Sequence, residues 1–453
     1  MAKKKVTTKK QVAEAPAPVK LKHTGDRWLW FVLVLVLALA GWVVYNNSRT
    51  LRKITAQVIP VLPGVARKAV GGKVVSVEVV RTYSAQEVTA LEKQNYGNDA
   101  LPVRYPVTEL LIKYTSLDTD NSQIQEYARV YIPRTDNDAK IPLISLAPGT
   151  TGIGDECAAS LEQPLVANWG NYESHAAAYA GQGYAVVITD YEGMRDSTRI
   201  HHYMIGELEG RAVLDAARAA YSLSDYKGLD PGQLFLAGYS QGGQAVAWAD
   251  QIAPNYAPGL KVAGIVAFAP VSDIFETMAD PLNGSTTTWF GPYLLVSFAD
   301  YYHQTFALDS ILQPQWAPNL RADVLSHCIN TVTKFWPNPQ TVYTPGFIAD
   351  LKDPALFKAD YPELNSDIAQ NQPWQVPTGT PKLINQGQKD VVILPAQQSK
   401  LLPTICEGTG PVQLQYYADA THYTVMVKSF KDTLAWMTKV SAGQPLSTSC
   451  AGT

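Results

Sequence analysis

The sequence is poor in charge and free of internal repeats. Charged residues make up 17% of its 453 residues and apolar residues 46%, whereas an average chain carries about 25% charge. This composition excludes a disordered chain, a collagen or a coiled coil for the bulk of the protein. The lack of a period between about 20 and 50 residues argues against a solenoid or a propeller. No phosphate loop or dinucleotide fingerprint stands out, so we predict no cofactor.

Basic residues cluster only at the N-terminus. Residues 1–27 carry eight Lys or Arg and two acidic residues, a net charge of +6. Since the whole chain has a net charge of -3, the remainder carries -9. A body of that sign is a poor binder of a phosphate backbone, so we predict no nucleic-acid partner.

A charge-free segment follows this tail. Residues 28–45 read WLWFVLVLVLALAGWVVY, which is just long enough to span a bilayer core, with aromatic residues near both ends. The positive-inside rule predicts residues 1–27 as a cytoplasmic tail and residues 28–45 as a single transmembrane signal anchor in the cell membrane. The body would then be periplasmic or extracellular. The alternative is a signal peptide cleaved near Ala38-Leu39-Ala40, with secretion of the body.

The four cysteines agree with export. Cys157, Cys328, Cys406 and Cys450 are far apart and include no C-x-x-C pair, whereas zinc and redox motifs need close spacing. In an oxidising compartment they predict two disulfides, with four inert buried thiols as the alternative. The pair His201-His202 cannot easily share one ion without further ligands, so we predict no metal site.

The order of predicted elements indicates an α/β protein. After a linker predicted at residues 46–73, β-branched runs predict antiparallel strands, and short apolar strands then alternate with helix-length segments. Alternation of this kind predicts a mostly parallel sheet with helices on both faces, here over residues 74–453. The antiparallel strands are predicted at 73–82, 110–114 and 126–132. The later strands are predicted at 143–147, 185–189, 233–237, 262–267, 382–385 and 412–417, with helices at 207–223 and 241–252 and a last helix carrying Met426, Phe430, Leu434 and Met437.

A long segment interrupts this alternation. More than a hundred residues separate Pro270 from the strand that begins at Lys382, and no ordinary loop is that long. We therefore predict an inserted helical cap at about 272–375, which holds 16 of the chain's 45 aromatic residues. We expect these aromatic residues both to form the core of the cap and to line an apolar pocket facing the active site. Among them are Trp289, Phe290, Tyr293, Phe298, Tyr301 and Tyr302.

The sharpest chemical signal is the hexapeptide Gly238-Tyr239-Ser240-Gln241-Gly242-Gly243. It follows an apolar strand and precedes a helix-forming run, which is the context of a nucleophile elbow. Such a turn exposes Ser240 Oγ at the carboxyl end of the sheet, and the start of the helix favours a developing negative charge. We therefore predict Ser240 as a catalytic nucleophile.

A serine nucleophile needs a base, and the base needs an orienting acid. In this fold class the acid and then the histidine follow the serine along the chain. Of the seven histidines, only His422 follows a late strand. Asp390, directly after the strand at 382–385, is the predicted acid, with Asp273 as the alternative.

An oxyanion hole needs two backbone N–H groups. We predict that Gln241 supplies one as the residue after the nucleophile. The other is expected from the loop at 148–152, with Thr150 as the first candidate and Thr151 as the second.

Over about residues 105–450 the chain resembles the secretory lipase family of the α/β-hydrolase superfamily, the group of fungal lipase A and its bacterial relatives. The blocks that carry the resemblance lie in order along the chain: Gly149-Thr150-Thr151-Gly152 with Asp155 and Cys157-Ala158, Gly183–Val187, Thr189–Gly193, Gly210-Arg211 with Val213-Leu214-Asp215, the elbow, His422, Trp436 and Cys450. Two departures are Pro148, where the family usually has His, and Ala159, where it has Pro.

The resemblance implies an α/β-hydrolase fold and a set of roles. Ser240, Asp390 and His422 would be the triad. The substrate-binding residues would be Tyr191 and Glu192 near the floor of the site, together with Tyr239. The implied disulfides are Cys157–Cys328 and Cys406–Cys450.

The predicted function is a carboxylic-ester hydrolase of lipase or esterase type, acting on lipid or other apolar acyl esters through an acyl-enzyme. The expected partners are a small-molecule ester or lipid substrate and the membrane that holds the anchor. An acyltransferase or a serine peptidase on the same triad is the alternative. A non-catalytic binding module is a third reading, but the loss of a triad residue that would favour it is not seen.

Overall fold

Nine strands form one sheet in the part of the chain that the structure, a computed structural model, describes. That part comprises residues 71–135, 139–163, 168–223, 226 and 228–450, all within the second of the chain's two units, Ala69–Thr453. The strands are β1 Val74–Tyr83, β2 Val107–Leu117, β3 Gln123–Pro133, β4 Ile141–Ala147, β5 Ala185–Thr189, β6 Leu229–Tyr239, β7 Val262–Phe268, β8 Lys382–Gly387 and β9 Val412–Tyr417.

The sheet has an antiparallel edge and a parallel body. Its strand order is β1-β2-β3-β5-β4-β6-β7-β8-β9. β1, β2, β3 and β5 pair antiparallel, whereas every pair from β5 through β4 to β9 is parallel. This mixed sheet confirms the predicted change from antiparallel strands to a parallel body. Its parallel strands direct their carboxyl ends to one edge, where sites in such sheets form.

Helices cover both faces of the sheet. Alternate residues of a strand point to opposite faces, and Leu143 joins one buried cluster while Ile144 joins the other. The first cluster contains Ala212 and Val246, and the second contains Ala177. The helices between strands are α1 Ala85–Tyr96, α2 Tyr172–Gly181, α3 Gly206–Tyr221 and α4 Gln241–Tyr256. The sequence predicted α3 and α4 but not α1 or α2.

Short helices fill the segment between β7 and β8, which we call the helical insertion (residues 269–381). They are α5 Ile274–Ala279, α6 Phe290–Tyr301, α7 Leu308–Ile311, α8 Leu320–Ser326, α9 Ile329–Phe335, α10 Pro339–Val342, α11 Pro345–Asp350, α12 Pro354–Asp360 and α13 Pro362–Asn371. Trp289, Phe290, Tyr293 and Phe298 are buried in a third cluster, and Tyr301 and Tyr302 pack against it. These six aromatic residues thus belong to the core of the insertion.

The C-terminal part closes the second face. It contains α14 Pro395–Ile405, α15 Val425–Lys428 and α16 Phe430–Ser441. Met426, Phe430 and Met437 are buried in the second cluster and Leu434 packs against it, as the spacing predicted. The predicted last helix is two helices that meet at Ser429. The Ser429 hydroxyl donates to the carbonyl of Val425.

Two disulfides join distant segments. Cys157 pairs with Cys328 across 171 residues, and Cys406 pairs with Cys450 across 44. Both pairs are those that the family resemblance implied, and none of the four cysteines is free. The alternative of buried thiols was therefore wrong. The first bridge ties the loop after β4 to the helical insertion.

The predicted tail, the predicted anchor at 28–45 and most of the predicted linker lie outside the described residues. Within the described ranges, no helix combines the length and the apolar character that crossing a bilayer requires. At the end of the predicted linker, the Gly72 N–H donates to the carbonyl of Thr115 (2.6 Å), and the Thr115 N–H donates to that of Lys73 (2.9 Å). These residues therefore already pair with β2.

Candidate active site

Ser240 sits in a sharp turn between β6 and α4. Its backbone has φ 56° and ψ -113°, a left-handed conformation that is unusual for a residue with a Cβ. A Cβ on Gly238 would lie 1.9 Å from the carbonyl oxygen of Gly242, and one on Gly242 would lie 2.0 Å from that of Ala147. Only glycine fits at these two positions, so the G-x-S-x-G spacing is a steric requirement of the turn.

The turn brings Ser240 to a histidine and a carboxylate. His422 Nε2 lies 3.0 Å from Ser240 Oγ, and His422 Nδ1 lies 2.8 Å from Asp390 Oδ2. All three side chains are more than nine-tenths buried. β6, β8 and the segment after β9 deliver them to the same edge of the sheet. The geometry is that of a nucleophile, a base and an orienting acid.

Three hydrogen bonds hold the Asp390 carboxylate. Its Oδ1 accepts from the N–H groups of Val392 (2.8 Å) and Ile393 (2.9 Å), and its Oδ2 accepts from Gln386 Nε2 (3.1 Å). These donors leave Oδ2 aimed at His422. Gln386, the fifth residue of β8, was not recognised in the sequence.

Asp273, the alternative acid, occupies a different place. Its Oδ1 accepts from the N–H of Glu276 (2.9 Å) at the start of α5 and from Gln372 Nε2 (3.1 Å). Asp273 therefore caps a helix of the insertion and makes no hydrogen bond with His422 in the described structure.

The two segments expected to form an oxyanion hole are in contact. Gln241 is the first residue of α4, where a backbone N–H has no acceptor within the helix. A Cβ on Gly242 would lie 2.8 Å from the carbonyl oxygen of Pro148, so the loop at 148–152 packs against the start of α4. In this loop Thr150 Oγ1 hydrogen-bonds with Tyr203 Oη (2.7 Å), and the carbonyl of Thr151 accepts from Ile329 (2.8 Å).

Tyr191 and Glu192 lie beneath this loop. Tyr191 has φ 68°, and its hydroxyl donates to the carbonyl of Pro148 (2.8 Å). Glu192 contacts His201 Nδ1 (3.1 Å) and His202 Nδ1 (2.5 Å). Both side chains are 2% exposed or less and have protein partners. Tyr191 thus supports the loop at 148–152, and substrate binding by Tyr191 and Glu192 stays a prediction.

Tyr239 lines a cavity of about 290 Å³ next to the triad. Its ring lies 4.9 Å from that of His422. The wall combines aromatic, apolar and amide side chains: Asn168, Trp169, Asn171, His175, Ile329, Asn330, Thr333, Tyr423 and Met426. The helical insertion contributes Ile329, Asn330 and Thr333 to this wall. None of the six aromatic residues named for the cap lines this cavity, so they do not form the expected pocket here.

His201 and His202 both bond to the buried carboxylate of Glu192. Burial disfavours the charged form of Glu192 and so raises its pKa. The contacts with His202 and His201 favour the charged form more strongly, and the pKa of this carboxyl falls to about 2. Burial also opposes the charge on His202, but Glu192 outweighs it and raises the pKa of the imidazole. His202 Nε2 contacts Asp300 Oδ2 at 3.1 Å. Within the described residues no cluster of His, Cys, Asp or Glu could hold a metal ion.

Glu209 is a buried carboxyl that sequence reasoning missed. Burial raises its pKa to about 8, so it is mainly protonated at neutral pH. Its Oε1 accepts from Gln241 Nε2 (2.7 Å) and from the N–H of Met204 (2.9 Å). A signal was present, because Glu209 stands three residues before Ala212 on the apolar face of α3.

The fold and the sharp turn at Ser240 define a protein of the α/β-hydrolase fold. The model of the family described as secretory lipase matches residues 175–449, which is more than half of the chain. The protein belongs to this secretory lipase family, as the sequence blocks indicated.

The chain is also similar to individual lipases and esterases. The chain is 25% identical to Lipase 6 of Candida albicans over 60% of its own length and 58% of that protein. It therefore spans less than two thirds of this curated relative. Two solved structures share the fold: the rice cell wall degrading esterase LipA from Xanthomonas oryzae (TM-score 0.64, 18% identity, 82% of this chain and 97% of that one) and Candida antarctica lipase A in its closed state (TM-score 0.61, 20% identity, 84% and 85%).

Proposed function

We propose that the protein is a serine carboxylic-ester hydrolase acting on apolar acyl esters. The observation that carries the proposal is the relay from Asp390 through His422 to Ser240, with contacts of 2.8 and 3.0 Å. The membership of the secretory lipase family supports the same reaction.

Each group has a role in this reaction. Ser240 Oγ attacks the ester carbonyl while His422 Nε2 takes its proton, and the imidazolium then protonates the leaving alcohol. Water then attacks the acyl-enzyme while His422 takes its proton. The imidazolium returns the proton to Ser240 Oγ as the carboxylic acid leaves. Asp390 holds the imidazole with its proton on Nδ1 and stabilises the imidazolium. The backbone N–H groups of Gln241 and Thr150 bind the oxyanion.

The cavity beside Tyr239 supports an acyl substrate of limited length. The aromatic and apolar side chains in its wall are Trp169, Tyr239, Ile329, Tyr423 and Met426. They can cover alkyl groups, and each buried CH₂ contributes about 0.8 kcal/mol, or roughly fourfold in kcat/KM. The cavity volume of about 290 Å³ limits the length of the acyl chain that it can hold. We therefore propose that kcat/KM rises with acyl length until this cavity is full and then stops rising.

A panel of p-nitrophenyl esters from acetate to palmitate, assayed with the full chain in detergent, tests the proposal. We expect a rise from acetate towards octanoate and a loss of activity on the order of 10⁴-fold or more in Ser240→Ala. Equal rates for acetate and octanoate would refute the proposed acyl pocket but would remain consistent with a hydrolase. Full activity in Ser240→Ala would refute Ser240 as the nucleophile and with it the proposed serine hydrolase mechanism.

The same assay separates the alternative activities. Addition of a primary alcohol diverts the acyl group to a new ester if the protein is an acyltransferase, and product analysis detects that ester. Cleavage of peptide amides at rates near those of esters would indicate a peptidase. Substrate binding without turnover in the wild type would indicate a binding module.

We also propose that residues 28–45 anchor the protein in the cell membrane with the catalytic unit outside. The two disulfides support an oxidising location for that unit, since such bonds persist outside the cytosol. Protease added to spheroplasts should digest the body and spare residues 1–27. A mature protein that begins near Val43 would establish a cleaved signal peptide and secretion instead.

A further inference from the structure

A buried polar cluster lies directly behind the nucleophile turn. It consists of Glu192, His201, Glu209 and the side chain of Gln241, each no more than 1% exposed. The chemistry proposed for Ser240 uses only the backbone N–H of Gln241. Burying several polar side chains is costly unless each is hydrogen-bonded. The hydrogen bonds within this cluster therefore indicate what its residues do.

Hydrogen-bond accounting defines the state of His201. The Gln241 amide nitrogen lies 2.7 Å from Glu209 Oε1 and 2.8 Å from His201 Nε2. An amide nitrogen has two hydrogens and no acceptor capacity, so one hydrogen is donated to each partner. His201 Nε2 is then an acceptor, and its proton resides on Nδ1. Nδ1 donates to Glu192, whose backbone carbonyl and Oε2 both lie at 3.1 Å.

The same histidine is linked to the other side of the oxyanion site. Its ring stacks on Tyr191 at a centroid distance of 5.2 Å and an angle of 10°, and the Tyr191 hydroxyl donates to the carbonyl of Pro148 (2.8 Å). The carbonyl of His201 accepts from the N–H of Tyr203 (3.0 Å). Tyr203 Oη in turn hydrogen-bonds with Thr150 Oγ1 (2.7 Å).

We propose that His201 is a positioning residue of the oxyanion hole. It fixes the start of α4 through the Gln241 amide and the loop at 148–152 through Tyr191 and Tyr203. Donors must be held within about 0.5 Å of the productive geometry for full effect. His201 bridges the two segments that carry the donors and thereby sets the distance between them. This inference rests on the proposed esterase function.

The test compares an ester with its thionoester, in which sulfur replaces the carbonyl oxygen. Sulfur is a weak hydrogen-bond acceptor, so the ratio of the two kcat values reports how well the oxyanion hole works. His201→Phe keeps a stacking ring but loses both nitrogens. We expect it to lower kcat for the ester about 10- to 100-fold with KM within about threefold, because loss of one whole donor costs about 10²- to 10³-fold. The ester-to-thionoester ratio should fall by a similar factor.

Two further variants distinguish positioning from general damage. Gln241→Met keeps the backbone N–H and removes the amide. If His201 acts through that amide, the double variant His201→Phe/Gln241→Met loses no more than His201→Phe alone. His201→Gln restores an acceptor near the Nε2 position and should recover most of the lost ratio.

His202→Gln is the matched control. His202 is the next residue along the chain and is also buried, but it bonds to Glu192 and Asp300 rather than to Gln241. We expect it to lower the melting temperature and to leave the ester-to-thionoester ratio unchanged. A ratio unchanged in His201→Phe, or additive losses in the double variant, would overturn the inference. Absence of ester hydrolysis in the wild type would instead overturn the proposed function.

Discussion

The orienting acid can be tested with two substitutions of the same kind, Asp390→Asn and Asp273→Asn. Both aspartates follow a strand of the parallel body, and the sequence alone left both open. In the structure Asp390 lies 2.8 Å from His422 Nδ1, whereas Asp273 caps α5 through the N–H of Glu276. The same chemical change should therefore have different effects at the two positions.

The expected loss in Asp390→Asn follows from the bonds around the side chain. The N–H groups of Val392 and Ile393 both point at Oδ1, so the new amide must keep its oxygen there and present its NH₂ to His422. The imidazole then has to accept on Nδ1 and carry its proton on Nε2, where it cannot take the proton of Ser240. The corresponding change in a serine protease triad lowers kcat about 10⁴-fold. We expect a loss of about 10³- to 10⁴-fold here, or roughly 4 to 5.5 kcal/mol in the barrier.

Asp273→Asn is the matched control. Asparagine keeps the capping acceptor, so stability should change by less than about 1 kcal/mol and kcat should stay within about tenfold of the wild type. The assay is kcat for p-nitrophenyl butyrate, with melting temperatures to verify folding. A thousandfold loss in Asp273→Asn together with a mild effect of Asp390→Asn would refute this reasoning and reassign the acid.

Three further predictions concern catalysis, pH and the disulfide. Ser240→Ala and the double variant Ser240→Ala/His422→Ala should lose similar activity, on the order of 10⁴-fold or more, because triad members act as a unit; a much larger loss in the double variant would contradict this. Burial raises the pKa of Glu209 to about 8, above the value of about 4.3 for an unfolded Glu, so the stability that its neutral form contributes is complete below about pH 4 and lost as the pH rises through 8. Glu209→Gln, which keeps an acceptor for Gln241 and cannot ionise, should therefore gain melting temperature relative to the wild type between pH 6 and 9, and a constant difference across that range would exclude this titration. Replacing Cys157 and Cys328 with serine removes a bridge over 171 residues, for which the chain-entropy model gives about 5 kcal/mol; denaturant unfolding measures the loss, and a change below about 1 kcal/mol would show that the bridge adds little.

Much of the sheet was predictable because strand signals are local. β5 and β9 begin and end where the apolar runs do, and the antiparallel start of the sheet was recognised from its β-branched composition. Two helices were missed for different reasons. α1 has a capping box at Ser84 and Glu87 that the sequence displays, so it could have been found. α2 is buried on nearly every side, so it lacks the polar face on which a periodicity search depends.

The acid and the support of the oxyanion site could not be read in the same way. Asp390 and Asp273 have similar positions after strands, and only the placement of His422 distinguishes them. The sequence assigned no role to the pair His201-His202 beyond excluding a metal site. Its actual partners come from three separate segments, Glu192, Gln241 and Asp300, and no local pattern encodes such a meeting.

The sequence by itself made the turn at Ser240 recognisable, since the strand, the G-x-S-x-G residues and the helix that define it are contiguous in the chain. Gly238 is required by the backbone of Gly242 within the same turn, whereas Gly242 is required by the backbone of Ala147 at the end of β4. The tertiary structure decided which acid faces His422 and what surrounds His201. Those contacts depend on how β8, the loop after β9, α3 and the helical insertion pack together. Packing is a property of the whole chain, because it follows from the burial of surfaces far apart in sequence.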